Sequence, residues 1–381
     1  MQALQRSLDL PTLLAKKSLF LFGPRAVGKT FWLRRCLEGK ALLIDLLHTD
    51  TFLRLNVDPS ALEGMIRASG QQLIVLDEIQ KLPILLDEVH RLIEQDRWTF
   101  LLTGSSARKL RHGGVNLLAG RAWVAELFPM TRRELPDFDL ARYLRYGGLP
   151  SVWLSHSPEE ELRAYVHTYL REEIQTEALV RALPSFHRFL RTAALANAQM
   201  VNFTNIASDA AVPVSTVREH FSILEDTLLG KLLPAYVSTK KRKALSTAKF
   251  YFFDPGVVHA LTGTRVLEEN TDLFGTSFEQ FLWMELRAYL GYTRSFDELC
   301  YWRTKHGTEV DFVIGDHTAI EVKAATRITS RDLKGLRTLQ EEQIFQRYFL
   351  VSRDQVQTRI DGIDALPWQL FLDRLWAGEV F

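Results

Sequence analysis

A chain of 381 residues is long enough for two to four domains, each with its own core. Hydrophobic residues at 46% and charged residues at 24% exclude long disordered tails, and 47 basic against 46 acidic residues exclude a basic coat, so any nucleic-acid surface must be a local patch. The two cysteines, Cys36 and Cys300, lie outside any metal-ligand spacing; with no membrane-length apolar run and no signal-peptide core in Met1 to Leu8, a soluble cytoplasmic protein with reduced thiols is expected.

Leu4, Leu8, Leu10, Leu13 and Leu14 have helix-like spacing. The apolar run Leu19–Phe22 then breaks into Gly23, Pro24, Arg25, Ala26, Val27, Gly28, Lys29 and Thr30, a strand, a Gly-x-x-x-x-Gly-Lys-Thr loop and the first turn of a helix. Backbone N–H groups of such a loop point at nucleotide phosphates; Gly23 and Gly28 allow close approach, Lys29 reaches the β and γ oxygens, and the Thr30 hydroxyl ligates Mg²⁺. The competing reading is a loop whose glycines merely turn the chain. A helix over 30–38, a strand over 41–45 and a helical stretch over 49–68 follow. The strand Leu73–Leu76 closes in Asp77-Glu78, the Walker B pattern, with Asp77 placed to hold Mg²⁺ through water and Glu78 to polarise the attacking water; a solvated turn is the alternative. After a helix over 84–95, the strand from Trp98 ends in Thr103, Ser105 and Ser106, candidates to face the γ-phosphate. Arg121, ahead of the strand 123–127, is placed to act as an arginine finger on a neighbouring subunit or to cap a helix at the surface.

The segments GPRAVGKT, LIVLDEIQK, LLTGSSARKL and LLAGRAWVAELFPMTRREL, in this order, resemble a prokaryotic AAA+ type ATPase that carries a long C-terminal region. The resemblance covers nearly the whole chain. It implies a five-stranded parallel sheet, a helical lid, ATP with Mg²⁺ as cofactors, and a homo-oligomer, with a hexameric ring among the forms expected.

Residues 136–200 read as that lid: helices over 138–146, 158–178 and 185–198, broken at Gly147-Gly148-Leu149-Pro150. Arg132, Arg133 and Arg171 are each candidates for a second sensing arginine. Residues 201–264 read as a winged helix-turn-helix. Ile206, Ala210, Val217, Phe221 and Leu224 form its core stripe, Ser215, Thr216, Arg218 and Glu219 face outward, and Lys240, Lys241, Arg242 and Lys243 form a basic wing. This grammar offers an exposed helix to a major groove and four cations to phosphates. A domain that only packs on partners, with a solvated charge run, is the alternative.

The last segment, 265–381, has a helix carrying Glu279, then strands over 300–303, 309–314 and 319–323. Strand alternation puts Glu321 and Lys323 on one face beside Asp311. Two carboxylates on a metal, a lysine beside the attacking water and a helix glutamate make a phosphodiesterase site. The segment resembles the PD-(D/E)xK nuclease core, with Glu279, Asp311, Glu321 and Lys323 matching and Val310 standing where the motif's proline would be. An ordinary Glu321–Lys323 ion pair, or a site that only holds DNA, are the alternatives.

The expected whole is an α/β chain: a P-loop parallel-sheet ATPase core over 1–135, a helical lid over 136–200, a winged helix over 201–264 and an α+β restriction-endonuclease-like domain over 265–381. Its expected action is Mg²⁺-dependent ATP hydrolysis coupled to DNA. A nucleotide switch that binds a protein partner and an ATP-gated metal-dependent nuclease remain as other readings.

Overall fold

The computed structural model describes residues 5–95, 98–106, 118–169 and 183–381. Helix α1 (Leu10–Lys16), capped by the Asp9 carboxylate, leads into β1 (Ser18–Phe22), whose five residues are all buried. Then come α2 (Lys29–Cys36), β2 (Leu42–Asp45), α3 (Thr49–Val57), α4 (Ala61–Ser69), β3 (Leu73–Asp77), α5 (Leu85–Glu94), β4 (Thr99–Gly104) and β5 (Ala122–Glu126). The helical stretch expected over 49–68 is divided, because Pro59 lacks an N–H and the Asp58 carboxylate turns the chain by accepting from Ser60. Apolar runs buried on both faces suit parallel strands. All five strands here are parallel, in the order β2-β3-β4-β1-β5, with α5 laying Leu85, Leu86, Val89 and Leu92 into the core.

The middle region holds α6 (Leu140–Tyr146), α7 (Pro150–Leu154), α8 (Pro158–Ala164), a π-helical turn (Tyr165–Tyr169), α9 (Leu183–Leu195), β6 (Gln199–Met200), α10 (Phe203–Ala210), α11 (Val214–Asp226), β7 (Gly230–Leu233), β8 (Lys249–Phe252) and α12 (Pro255–Thr262). The antiparallel sheet runs β6-β8-β7. The expected helix beyond 169, and Arg171 with it, lie outside the described residues. The helix expected over 185–198 spans 183–195, where it packs on α10, α11 and α12, and β6 pairs with β8. Phe138 sits ahead of α6 and stacks on Phe281 of the C-terminal region at 5.6 Å and on Trp153 at 5.9 Å, which ties α6 and α7 to the body.

The C-terminal region comprises α13 (Asp272–Thr293), β9 (Leu299–Arg303), β10 (Glu309–Ile314), β11 (Thr318–Lys323), α14 (Lys334–Gln340), β12 (Arg347–Ser352), β13 (Thr358–Ile360), β14 (Ile363–Pro367) and α15 (Trp368–Trp376). Its sheet has the order β13-β14-β12-β11-β10-β9, with β9, β10 and β11 an antiparallel meander and β11, β12 and β14 parallel. α13 covers β11 from one side, while α14 meets β10 and β11. The tail helix α15 docks within the chain, where the Trp376 indole donates to Glu285 at 3.0 Å.

Glu285 also accepts from the backbone N–H of Arg132 at 2.6 Å, so one buried carboxylate joins the N-terminal and C-terminal regions. Burial pushes it up from 4.5 to about 7 against those two donors. A carboxyl that holds its proton more tightly folded than unfolded stabilises most below its ordinary value and loses that contribution as pH rises through about 7. Melting temperatures of the wild type should therefore fall as pH rises from about 4.5 to about 7, and Glu285→Gln should flatten part of that fall in thermal melts taken across this range.

Candidate functional site

The nucleotide-type site is built at the C-terminal edge of the parallel sheet. Gly28 has φ +87°, a left-handed conformation open to glycine, and a Cβ on Gly23 would stand 2.5 Å from the Leu127 carbonyl oxygen. Together they hold the loop tight enough for Lys29 at the start of α2 to fold back. Its buried ammonium donates to the carbonyls of Gly23 at 2.6 Å and Pro24 at 3.1 Å. Thr30 Oγ1 donates to Asp77 Oδ2 at 2.7 Å. The hydroxyl and carboxylate that a phosphate-bound Mg²⁺ requires are thus adjacent, and the residues fit that ion.

β1 and β3, the strands that lead into these groups, are not neighbours in the sheet. β4 lies between β1 and β3 and supplies the third wall. From it Thr103 donates to the other Asp77 oxygen and accepts from the Glu78 N–H at 3.2 Å, fixing the acidic turn. Glu78 itself has φ +61°, a left-handed backbone rare for a residue with a side chain, so its carboxylate is held in a forced direction. Gln80, which sequence reasoning passed over, donates through Nε2 to both Glu78 and Ser105, the latter at 3.1 Å. Its position two residues past the acidic pair was the only signal. Ser106 donates instead to the Asp226 carbonyl at the end of α11, a link to the middle region.

Arg121 stands apart. Ala122 pairs with Ser18, and Phe22, next to the loop, pairs with Glu126, so Arg121 lies at the opposite end of the sheet, roughly 16 Å along the strand direction. There it pairs with Glu94 of α5. It does not converge with its own chain's loop.

A second cluster forms in the C-terminal region. Asp311 on β10 and Glu321 on β11 face each other across the antiparallel pair, both buried. Asp311 accepts from the Val322 N–H at 2.8 Å, and Lys323 holds Glu321 Oε1 at 2.5 Å. The other Glu321 oxygen, Oε2, is buried with no hydrogen-bond partner among the described residues. Burial raises both carboxyls, and the neighbouring acids raise them further: Glu279 acts on Asp311, and Asp311 on Glu321. Glu279 of α13 belongs to the cluster but is turned to Lys249 at 3.0 Å and to the Tyr251 hydroxyl, both on β8 of the middle region. Lys249 also holds Glu309 at 2.5 Å. Burial would depress the Lys249 ammonium, but Glu279, Tyr251, Asp311 and Glu309 reverse this and leave it well above its ordinary value. Sequence reasoning found Glu279, Asp311, Glu321 and Lys323 but not Lys249, Tyr251 or Glu309. An orphaned buried carboxylate oxygen beside a second acid fits a divalent cation, although among the described residues no three side chains of His, Cys, Asp or Glu are arranged to hold one.

The candidate nucleic-acid residues are dispersed. Ser215 and Arg218 are exposed on α11, where Arg218 lies 4.2 Å over the Phe203 ring, and Thr216 is half-buried. The basic run is not a free wing. Segment 234–248 lies along the edge of β9: the Tyr236 N–H donates to Tyr301 O at 2.7 Å and the Leu245 N–H to Arg303 O at 2.8 Å. Glu342 accepts from the backbone N–H groups of Lys240 and Lys241, and Arg242 pairs with Glu341 and Glu342. The side chains of Lys240, Lys241 and Lys243 are exposed. Among the described residues no helix is long and apolar enough to cross a membrane.

Comparison with known proteins divides the chain in three. A family model described as AAA domain matches residues 15–136, one described as a domain of unknown function (DUF8612) matches 137–268, and another of unknown function (DUF4143) matches 274–371. An uncharacterized protein of Mycobacterium tuberculosis is 27% identical over 330 residues, 83% of this chain and 72% of that one, and an uncharacterized protein of Haemophilus influenzae is 22% identical over 354 residues, 84% and 86%. Among solved structures, a replication initiator DnaA bound to AMPPCP and single-stranded DNA covers 58% of this chain and 90% of its own, at 11% identity and a TM-score of 0.29. The AAA domain match spans all five parallel strands, the Gly-Lys-Thr loop and the Asp77-Glu78 turn, so the N-terminal region is similar to an AAA domain and carries the groups that a nucleotide-binding loop of this kind uses.

Proposed function

We propose that the chain is a Mg²⁺-dependent ATPase of AAA+ type that couples ATP binding and hydrolysis to action on DNA. The observation that carries this reading is the convergence of the Thr30 and Thr103 hydroxyls on the two oxygens of Asp77, with Lys29 preceding Thr30 at the start of α2. In it Lys29 exchanges its loop carbonyls for β and γ phosphate oxygens, Thr30 and Asp77 hold Mg²⁺, and Glu78 orients the attacking water. Gln80 and Ser105 report the γ-phosphate to the Glu78 carboxylate. Mg²⁺ supplies charge neutralisation between the phosphates. Arg121 serves a neighbouring copy, since it cannot reach its own loop.

The order helix, strand, helix, helix, strand, strand over 183–252 supports a winged helix, with Ser215, Thr216 and Arg218 toward DNA and Lys240, Lys241 and Lys243 toward phosphates. Helix, three-stranded meander, helix and parallel strand over 272–352 support a PD-(D/E)xK-like domain, in which Asp311 and Glu321 hold a divalent cation, Glu279 completes the set and Lys323 assists water. The docking of Arg242 on Glu341 and Glu342 favours a second reading, a nucleotide switch whose C-terminal region binds a protein.

Steady-state ATP turnover, measured with Mg²⁺ and with or without single-stranded, duplex and branched DNA, tests the two. Acceleration by DNA is expected; unchanged turnover would sink the DNA reading in favour of the switch. Glu78→Gln should keep ATP binding while turnover falls roughly 10²-fold, the scale of a lost base. A variant that turns over at the wild-type rate removes Glu78 from the chemistry.

A further inference from the structure

The carboxylate cluster at the C-terminal sheet is not made by that region alone. Lys249 is the first residue of β8, a strand of the middle sheet, and only 4% of its surface is exposed. Its ammonium reaches across the domain boundary to Glu279 at 3.0 Å and Glu309 at 2.5 Å. The strand is fixed there, since Tyr251 stacks on Trp283 of α13 at 4.8 Å with the rings 15° from parallel, and its hydroxyl donates to Glu279. On the other side of the cluster Lys323 holds one oxygen of Glu321, and among the described residues Oε2 is buried without a hydrogen-bond partner. Four carboxylates, Glu279, Glu309, Asp311 and Glu321, therefore face Lys249, Lys323 and the Arg303 guanidinium, which lies 2.7 Å from Glu309.

A divalent cation of the Mg²⁺ or Mn²⁺ class binds carboxylate oxygen at roughly 2.1 Å and needs several such oxygens directed at one point. Here the oxygens exist but are claimed separately: Glu279 and Glu309 by Lys249, Glu321 by Lys323. An ammonium and a dication cannot share that centre, because both need the same lone pairs and repel each other. We propose that Lys249 is the resident counter-ion of this site, occupying the place where a divalent cation would be held by Glu279, Asp311 and Glu321, and that metal and Lys249 exclude one another. The proposal rests on the PD-(D/E)xK-like reading of the region. It adds that loading the site requires β8 to withdraw. The far end of the same strand gives a route for that movement. Two residues past it, Asp254 accepts from the N–H of Gly148, and Pro150 lies against Gly28 of the phosphate loop, 3.5 Å from where a Cβ there would stand.

The test is Mn²⁺ binding to the full chain without nucleotide, by calorimetry and by the shift of melting temperature, in wild type, Lys249→Met, and each combined with Glu321→Gln. Lys249→Met should bind Mn²⁺ at least tenfold more tightly than wild type and gain more melting temperature from it, and Glu321→Gln should abolish both effects. Wild type binding Mn²⁺ as tightly as Lys249→Met, with the signal lost on Glu321→Gln, overturns the exclusion and leaves the metal site standing. No Glu321-dependent binding in either protein overturns the metal site and the exclusion together. Should Lys249→Met fail to fold, Lys249→Gln, which keeps a donor toward Glu279, carries the same comparison.

Discussion

Lys29→Ala is expected to lower ATP turnover by about 10² to 10³-fold, the cost of removing a preorganised positive donor from the phosphates of a reacting nucleotide. The ammonium is buried and donates to the carbonyls of Gly23 and Pro24 in its own loop. Its loss should cost about 1 to 3 kcal/mol of thermal stability, the scale of leaving buried acceptors unpaired. The same variant tests Arg121. Mixed with Arg121→Ala, it brings an intact arginine to chains with an intact loop. If Arg121 acts across a subunit boundary, the mixture of two weak proteins should recover turnover that neither has alone. A Lys29→Ala protein that hydrolyses ATP at the wild-type rate would end the ATPase reading; an Arg121→Ala protein that does so would end only the role of the arginine.

The parts of the site that could be read from sequence are those whose chemistry is contiguous. Gly23 to Thr30 places loop, cation and hydroxyl within eight residues, and Asp77-Glu78 follows directly on the strand that aims it. What could not be read depends on which strands become neighbours. The insertion of β4 between β1 and β3 makes Thr103 a ligand of Asp77, a contact between residues 26 apart. The basic run at 240–243 looked free because Glu341 and Glu342, which hold Arg242, come about a hundred residues later. Likewise Glu279, Asp311, Glu321 and Lys323 were legible in order, whereas Lys249 was hidden. A lysine opening an apolar strand reads as a solvated end, and only packing of one region on another brings it under Glu279.

That same packing sets the other large effect, at Gly147. This residue ends α6 with φ +77°, and a Cβ added there would stand 1.9 Å from Asp254 Oδ1 and 2.4 Å from its Cγ and Oδ2. The carboxylate cannot step aside cheaply. It is fully buried, accepts from the N–H groups of Gly148 at 2.8 Å and Val257 at 3.2 Å, and caps α12. Gly147→Ala should therefore cost about 3 kcal/mol or more, combining a strained backbone with overpacking. Asp254→Ala should also destabilise, by about 1 to 3 kcal/mol, because it strands buried donors. Because the clash is with the carboxylate itself, the double variant should be less destabilised than the sum of the two, a coupling that a denaturant-based double-mutant cycle measures directly. Strict additivity would show that the contact is not what forbids a side chain at 147. Asp254→Ala also carries a functional expectation. It frees Gly148, two residues ahead of the Pro150 that lies against Gly28, so the KM for ATP should rise although the hydrogen bonds removed are those to Gly148 and Val257. An unchanged KM would mean that the segment 147–150 holds the middle region in place without reporting on the nucleotide.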